Sequence, residues 1–138
     1  EGKPLPLYGD GSQIRDWIYV TDHCKAIDML LEKGEVGEVY NIATGNLITN
    51  IEIAKRIVNI LDISESMIKS VTDRPGHDIR YALDFSKIQK SGWEPLKDFE
   101  DNFKKTVKWY VDNKWWWKKI KDSDEYNKYY ERQYFEII

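Results

Sequence analysis

Residues 8–23 (YGDGSQIRDWIYVTDH) constrain the fold of this chain more than any other segment. They open with Gly-Asp-Gly at 9–11, which predicts a turn because glycine adopts positive φ and aspartate can bond its own backbone. Residues 13–20 are rich in β-branched and aromatic side chains and predict a strand. Asp22 is a predicted helix N-cap, and the apolar residues after it recur at helical spacing until Gly34. The segment therefore predicts a turn, a strand and a helix in direct succession.

Charged side chains interrupt this otherwise apolar strand. Arg15 has Asp16 beside it, and Asp22 follows at the predicted start of the helix. An arginine that is buried or half-buried needs an anionic partner. That partner is either one of the two carboxylates, which would tie the strand to the helix, or an anionic ligand. The residues alone leave both interpretations open.

A second candidate site lies in residues 74–78, with the sequence Arg-Pro-Gly-His-Asp. Proline and glycine both break regular structure, so the segment predicts an irregular loop. A guanidinium can make two parallel bonds to a phosphate, and an imidazole can add a further donor. In the alternative interpretation this is an ordinary charged surface loop, in which Arg74 pairs with Asp73 or Asp78.

Downstream of residue 23, short strands alternate with helices. Strands are predicted over residues 37–43, 67–71 and 79–84, and helices over 49–62, over 85–90 and from Asp98 onward. Thr49 and Glu52 have the spacing of a capping box at the start of the second helix. The alternation predicts an α/β or mixed α+β fold.

Aromatic residues dominate the last third of the chain. The helix after Asp98 has an apolar stripe at spacings of four, four and three, formed by Phe99, Phe103, Val107 and Tyr110. Three tryptophans at 115–117 are expected to end that helix and to pack on the core. The rest is charged and contains Tyr126, Tyr130 and Tyr134 at a spacing that permits a helix. We therefore divide the chain into 1–117 and a polar, tyrosine-rich tail, 118–138.

Composition limits the classes of function. The chain has 138 residues, which suits one domain, and 41% hydrophobic and 33% charged residues, which is typical of a globular protein. The net charge of −3 provides no basic excess for nucleic acid, and no apolar run is long enough to cross a membrane. A single cysteine excludes an internal disulfide and indicates the cytoplasm. Two histidines and one cysteine predict no metal site.

Several of these segments together resemble a known family. Residues 2–11 (GKPLPLYGDG) and 13–23 (QIRDWIYVTDH) are similar to the C-terminal part of the dTDP-glucose 4,6-dehydratase family, within the extended short-chain dehydrogenase/reductase superfamily. The strand GEVYN at 37–41, the loop at 74–78 and the turn GWEP at 92–95 match further family segments in the expected order. The resemblance extends from residue 2 to about residue 117.

The resemblance implies a set of site residues. It implies that the diphosphate of a dTDP-sugar is held by Arg15, Arg74 and His77. Asn41 would contact phosphate or ribose, and Pro6 and Tyr8 would pack against or bond to the nucleoside. The whole enzyme of this family uses tightly bound NAD to convert dTDP-glucose to dTDP-4-keto-6-deoxyglucose, in deoxysugar biosynthesis.

The family's catalytic and NAD-binding motifs have no counterpart in this chain. No glycine-rich dinucleotide turn follows a strand, and Tyr19 is followed by His23 at the offset of the family's Tyr-x-x-x-Lys pair. Tyr110 and Lys114 have that spacing, but they lie in the aromatic last third of the chain. The family carries both features in the preceding half. We therefore expect a fragment that lacks the N-terminal Rossmann domain, binds no NAD, has no assignable catalytic residue and is inactive alone. Its parent would be a homodimer.

The loss of that half predicts a surface consequence. The first helix and residues 39–43 are expected to expose apolar side chains, or to cover them by self-association. Three other functions remain open. The chain could belong to another sugar-nucleotide enzyme, such as a 4-epimerase or a UDP-glucuronate decarboxylase. It could also be a stand-alone nucleotide-binding module, or an interaction domain without catalysis.

Overall fold

The computed structural model describes residues 1–134, without the side chains of residues 133 and 134. Four short strands and six helices lie in this part of the chain. The strands are β1 (Leu5–Tyr8), β2 (Ile14–Asp16), β3 (Leu47–Thr49) and β4 (Ile68–Val71). The helices are α1 (Val20–Lys33), α2 (Asn50–Ile60), α3 (Ser86–Lys90), α4 (Phe99–Asp112), α5 (Lys114–Lys121) and α6 (Asp124–Tyr134). A 3-10 turn (Glu65–Met67) precedes β4.

The strands form two separate pairs. β1 runs parallel to β4, with Tyr8 opposite Val71, and β2 runs antiparallel to β3, with Arg15 opposite Ile48. Successive side chains of a strand point to opposite faces. Leu7 of β1 lies beside Ile51 of α2, so the other face of β1 points away from this helix. That other face carries Pro6 and Tyr8.

The core has two parts. Ala26 of α1, Ile88 of α3 and Trp93 in the turn after α3 form one buried cluster. Half-buried apolar side chains surround it: Ile18, Met29, Leu30, Tyr40, Ile42 and Phe85. Ile53, Ala54 and Val58 on one side of α2 form the second part.

The first predicted strand is correct in place but too long. Of residues 13–20 only Ile14–Asp16 form a strand. Trp17 leaves the pairing because its backbone N–H donates to Asn46 O at 3.1 Å and its indole N–H to Ile48 O at 3.2 Å. The prediction of Asp22 as N-cap is wrong, since Tyr19 occupies that position and Asp22 lies in the first turn of α1.

Two other predicted strands are absent from the described part of the chain. Residues 37–43 are not paired with any neighbour, and within 79–84 only Arg80 forms an isolated bridge, to Ile14. A strand needs a partner for its backbone N–H and C=O groups. Residues 1–134 provide none there, so the β-forming side chains at 39–42 do not produce a strand.

The capping box at the start of α2 is confirmed. The Glu52 backbone N–H donates to Thr49 Oγ1 at 3.3 Å, and the Thr49 N–H donates to Glu52 Oε2 at 3.0 Å. Asp98 is also confirmed as a cap, because its carboxylate accepts from the Asp101 N–H at 3.0 Å. Both caps satisfy donors that a helix start leaves unpaired.

Thr49→Ala is expected to lower the free energy of unfolding by about 0.5–2 kcal/mol, the usual effect of losing a threonine N-cap. Denaturant unfolding followed by circular dichroism measures it. Thr72→Ala is the matched control, because the Thr72 hydroxyl is exposed and makes no hydrogen bond in the described residues. Equal midpoints for Thr49→Ala and the wild-type chain would contradict the assigned cap.

The aromatic residues near the end of the chain do not pack as predicted. α4 ends at Asp112, and the three tryptophans lie in a separate helix, α5. Trp115 and Trp116 are exposed, and so is Tyr110, the last residue of the predicted stripe. Trp116 lies edge-to-face on Trp109 at 5.4 Å between ring centroids, so these rings cover one another and not the core. The only buried residue of α4 among those described is Asn102.

The tail forms helix α6 within the described residues. The rings of Tyr126 and Tyr130 stack with centroids 5.9 Å apart, as expected for neighbours four apart on a helix. The side chain of Tyr134 and residues 135–138 lie outside the described part. The division of the chain at residue 117 remains a prediction.

The expected exposure of apolar side chains is confirmed for α1 and for Val39, whereas Ile42 packs on the core cluster and Ala43 is buried. Exposed large apolar residues of this region are Val20, Ile27, Leu31, Val36 and Val39. None of the helices in residues 1–134 is both long enough and apolar enough to cross a bilayer.

Candidate functional site

The Arg15 guanidinium stacks over the Tyr81 ring, with Cζ 4.4 Å from the ring centroid, and its Nη2 donates to the Asp78 carbonyl at 3.0 Å. The Tyr81 hydroxyl donates to the Asp78 carboxylate. That bond raises the pKa of Tyr81, and the charges of Arg15 and Arg74 act on the same phenol in the opposite direction. Arg15 is therefore connected to the loop at 74–78 through Asp78 and Tyr81.

Neither of the carboxylates considered as partners of Arg15 pairs with it. The Asp16 carboxylate accepts from the Thr44 hydroxyl at 2.7 Å and from the Gly45 N–H at 2.9 Å. The Asp22 carboxylate accepts from the Leu96 N–H at 3.0 Å. The half-buried Arg15 has no carboxylate within salt-bridge distance in the described residues. The interpretation of Arg15 as a structural ion pair is wrong.

The loop at 74–78 is organised by Asp73. One oxygen of its carboxylate accepts from His77 Nδ1 at 2.7 Å and from the Arg74 backbone N–H at 2.9 Å. The other accepts from Gln13 Nε2 at 3.0 Å, which connects the loop to the residue before β2. The hydrogen bond with His77 is the main reason that the pKa of Asp73 is lowered.

The Arg74 side chain makes no ion pair or hydrogen bond in the described part of the chain. The alternative in which Arg74 pairs with Asp73 or Asp78 is therefore wrong, because Asp73 pairs with His77 and Asp78 bonds to Tyr81. A guanidinium without a protein partner can bind an anionic ligand without first breaking a salt bridge.

Pro6 and Tyr8 lie on the face of β1 that points away from α2. Pro6 is exposed, and Tyr8 is half-buried with its ring edge-to-face on His77, at 5.9 Å between centroids. The His77 side chain is only 6% exposed. It is held between the Tyr8 ring and the Asp73 carboxylate, so in this structure it supports the loop and the strand face.

Gly9 allows the loop to approach β1. Its φ is +58°, a left-handed value that favours glycine, and a Cβ at this position would lie 3.0 Å from Asp73 Oδ2. The turn that follows Tyr8 therefore places Asp73 directly against the end of β1.

Asn41 has no hydrogen bond or ring contact with the other predicted site residues in the described part of the chain. Its Nδ2 donates to the Asp84 carbonyl at 3.0 Å, and its side chain is exposed. Tyr8, Arg15, Arg74 and His77 are brought together through Asp73 and Tyr81, with Pro6 on the same strand face as Tyr8.

Three residues of the site were not predicted: Gln13, Asp73 and Tyr81. Asp73 was considered only as a partner of its neighbour Arg74, because a sequence does not show which of two nearby basic groups faces a carboxylate. Tyr81 gave no signal, since nothing in its spacing indicates stacking on Arg15 66 residues earlier in the chain. The described residues contain no cluster of three or more side chains that could hold a metal ion.

Asp73→Asn is expected to reduce the loss of stability that the wild-type chain shows as the pH falls into the acid range. Because folding lowers the pKa of Asp73, its stabilising contribution is complete above the unfolded value near 3.8 and is lost as the pH falls below it. Thermal unfolding between about pH 6 and pH 2 measures this difference. Asp28→Asn, at an exposed carboxylate with no hydrogen bond in the described residues, should retain the wild-type slope. A wild-type slope in Asp73→Asn would contradict the assignment.

Comparisons with known proteins identify the family of this chain. A family profile described as GDP-mannose 4,6 dehydratase matches residues 1–106, well over half of the chain. The chain belongs to this family. It is 48% identical over 132 residues to the dTDP-glucose 4,6-dehydratase of Neisseria meningitidis serogroup B, an alignment that covers 87% of this chain and 37% of that protein. The resemblance drawn from residues 2–23 is confirmed.

Solved structures give the same relationship. The dTDP-glucose 4,6-dehydratase of Bacillus anthracis, in complex with NAD, matches with a TM-score of 0.78 and 51% identity over 85% of this chain and 37% of its own. DesIV, the dTDP-glucose 4,6-dehydratase of Streptomyces venezuelae with NAD and TYD bound, matches with a TM-score of 0.79 and 41% identity. This match covers 83% of this chain and 36% of DesIV. The mixed α/β fold class is confirmed, and the chain spans about 37% of the length of its relatives.

A glycine-rich turn between a strand and the helix that follows it is typical of dinucleotide sites. In the described residues β2 leads into α1, and β3 leads into α2, without any glycine between them.

Proposed function

We propose that this chain is the sugar-nucleotide-binding part of a dTDP-glucose 4,6-dehydratase. The observation that carries the proposal is that Arg15, stacked on Tyr81, and Arg74, in the loop bonded to Tyr81 through Asp78, both lack a carboxylate partner in the described residues. Two such cations, beside a strand face that carries a proline and a tyrosine, suit a ligand with a charged diphosphate and a flat base.

In this proposal Arg15 and Arg74 bind the diphosphate. Arg15 is pre-oriented, since its guanidinium is held by the Asp78 carbonyl and the Tyr81 ring and loses little freedom on binding. Arg74 is presented by a loop whose backbone is fixed through Asp73. Bidentate hydrogen bonds from guanidinium to phosphate are among the strongest polar contacts in proteins.

Pro6 and Tyr8 would contact the nucleoside on the exposed face of β1. His77 belongs to the same site, and its nearly covered imidazole and bond to Asp73 suit a supporting role for Tyr8 and the loop as well as a phosphate contact. Asn41 would contact phosphate through the second N–H of its amide, since the first is donated to the Asp84 carbonyl, or a ribose hydroxyl through its carboxamide oxygen. Binding energy on the non-reacting nucleotide would fix the hexose for the reaction.

The whole protein would convert dTDP-glucose to dTDP-4-keto-6-deoxyglucose, with NAD bound by a Rossmann domain outside this chain. The exposed apolar residues of α1 and of positions 36–39 would pack on that domain. We expect the whole enzyme to be a homodimer and this chain alone to be inactive.

Calorimetric titration of the chain with dTDP, UDP and GDP tests the proposal. Tighter binding of dTDP than of the other two is expected if the β1 face selects the base. Equal affinities would reject the preference for dTDP and favour an epimerase or decarboxylase that shares the phosphate contacts. Failure of a chain with a cooperative unfolding transition to bind any of the three would reject a stand-alone site in these residues.

A further inference from the structure

A cavity lies between the residues that follow β2, the start of α1 and α4. Its volume is about 240 Å³. Four of its lining residues are aromatic: Trp17, Tyr19, Phe99 and Phe103. None of the six proposed nucleotide-site residues lines it, and Leu96, at its edge, is exposed. The cavity is therefore a separate feature of this domain, open to small molecules from solvent.

Two buried polar side chains also line this cavity. Asp22 is 4% exposed, and its carboxylate accepts one hydrogen bond in the described residues, from the Leu96 N–H to Oδ2. Asn102 is 6% exposed, and its side-chain amide makes no hydrogen bond there. Buried polar groups are normally paired, and a carboxylate can accept several bonds. Asp22 Oδ1 and the Asn102 amide therefore lack protein partners at a cavity that both of them line.

We propose that this cavity binds a small organic cation, an amine or a methylated ammonium. Aromatic faces attract cations through the ring quadrupole, and this attraction is strongest in sites that exclude water. Asp22 supplies the opposite charge, and the Asn102 carbonyl oxygen can accept an N–H from the ligand. The cavity would hold about eight waters at ~30 Å³ each, which is ample for an ammonium group with several methyl or methylene groups.

The polar groups exclude the other simple ligand classes. An anion would lie against the Asp22 carboxylate without a cationic side chain among the residues that line the cavity. A purely apolar ligand would leave the Asn102 amide and one Asp22 oxygen buried without partners, which costs free energy. Water molecules could bond to both groups, so the experiment must distinguish a cavity that holds only water from one that binds a cation.

The test uses the chain itself, with three probes followed by the NMR signal of the Trp17 indole N–H. The probes are tetramethylammonium, methylammonium and the neutral tert-butanol, and Trp17→Phe assigns the signal. Saturable shifts with a Kd of roughly 1–10 mM are expected for both cations, and at least about tenfold weaker binding for tert-butanol. Equal affinity for tert-butanol, or no saturation up to about 100 mM of either cation, would overturn the proposal.

Two variants separate the roles of the polar groups. Asp22→Asn keeps an acceptor for the Leu96 N–H and should weaken the binding of both cations by about tenfold. Asp28→Asn, at an exposed acid of the same helix, is the control and should change neither affinity. Asn102→Ala should weaken the binding of methylammonium, which has N–H donors, and should keep the affinity for tetramethylammonium within about twofold of the wild-type value. If Asp22→Asn fails to fold, the contrast between the two cations in Asn102→Ala decides. The same response of both cations there would contradict the assigned contact.

This inference is independent of the proposed nucleotide function. Binding of dTDP is not expected to displace tetramethylammonium, and loss of dTDP binding in a site variant leaves the cation result unchanged. Each proposal can therefore fail alone.

Discussion

Arg74→Ala is expected to weaken dTDP binding by about 10–100-fold without changing the thermal stability of the ligand-free chain. The loss corresponds to about 1.5–3 kcal/mol, the usual contribution of hydrogen bonds to a charged group. Stability should be nearly unchanged because the Arg74 side chain makes no hydrogen bond or ion pair in the described residues that the substitution would remove. Calorimetric titration gives the affinity, and a thermal melt without ligand gives the stability.

Two further substitutions make this result specific. Arg56→Ala removes the same charge from α2, where the Arg56 guanidinium pairs with Glu100 at 3.0 Å, and it should leave dTDP binding unchanged. Arg74→Lys keeps the charge but loses the planar fork, so an intermediate affinity is expected. Equal losses in Arg74→Ala and Arg56→Ala would mean that net charge, and not a phosphate contact, determines binding.

Ile88→Ala is expected to lower the free energy of unfolding by about 2–5 kcal/mol. The Ile88 side chain is fully buried against Ala26 and Trp93, and its truncation leaves a cavity where α1 and α3 meet. The free energy of unfolding of a native domain is only about 5–15 kcal/mol, so this substitution would remove a large part of the stability. Denaturant unfolding, followed by far-UV circular dichroism, measures the change.

Ile79→Ala is the matched control for this core substitution. It makes the same chemical change at a residue that is 75% exposed, so an effect within about 0.5 kcal/mol is expected. Similar losses for both substitutions would mean that Ile88 is not in a packed core. Ile88→Val, which removes one methylene group, should cost about 0.5–1.5 kcal/mol and rank between the two.

Helix starts were predictable because they depend on local groups. The bond between Thr49 and Glu52 joins residues three apart, and Asp98 likewise caps a donor three residues on. The turn at residues 9–11 and the irregular loop at 74–78 also follow from the restricted φ values of glycine and proline. In each case the interacting groups lie within a few residues of one another, so no tertiary contact is needed to bring them together.

Strands and ion pairs were less predictable because their partners are distant in the chain. Residues 37–43 have suitable side chains for a strand, but no strand lies beside them in the described part of the chain. Asp22 has the composition of an N-cap, yet it bonds to Leu96, 74 residues away. The rings at 109–116 pack on each other because α5 turns back onto α4, which no spacing rule indicates.

The sequence by itself determined the family, through the motifs that resemble it, and the local features of the chain: the turn at 9–11, the caps of α2 and α4 and the irregular loop at 74–78. The six candidate site residues follow from that resemblance, because residue types and local spacing left their roles open. The tertiary structure decided whether the two arginines pair with a carboxylate of the chain. Asp16 and Asp22 bond to backbone groups elsewhere and Asp73 turns to His77, which leaves Arg15 and Arg74 without carboxylate partners in the described residues. A salt bridge depends on the distance between two side chains in space, and folding sets that distance independently of their separation along the chain.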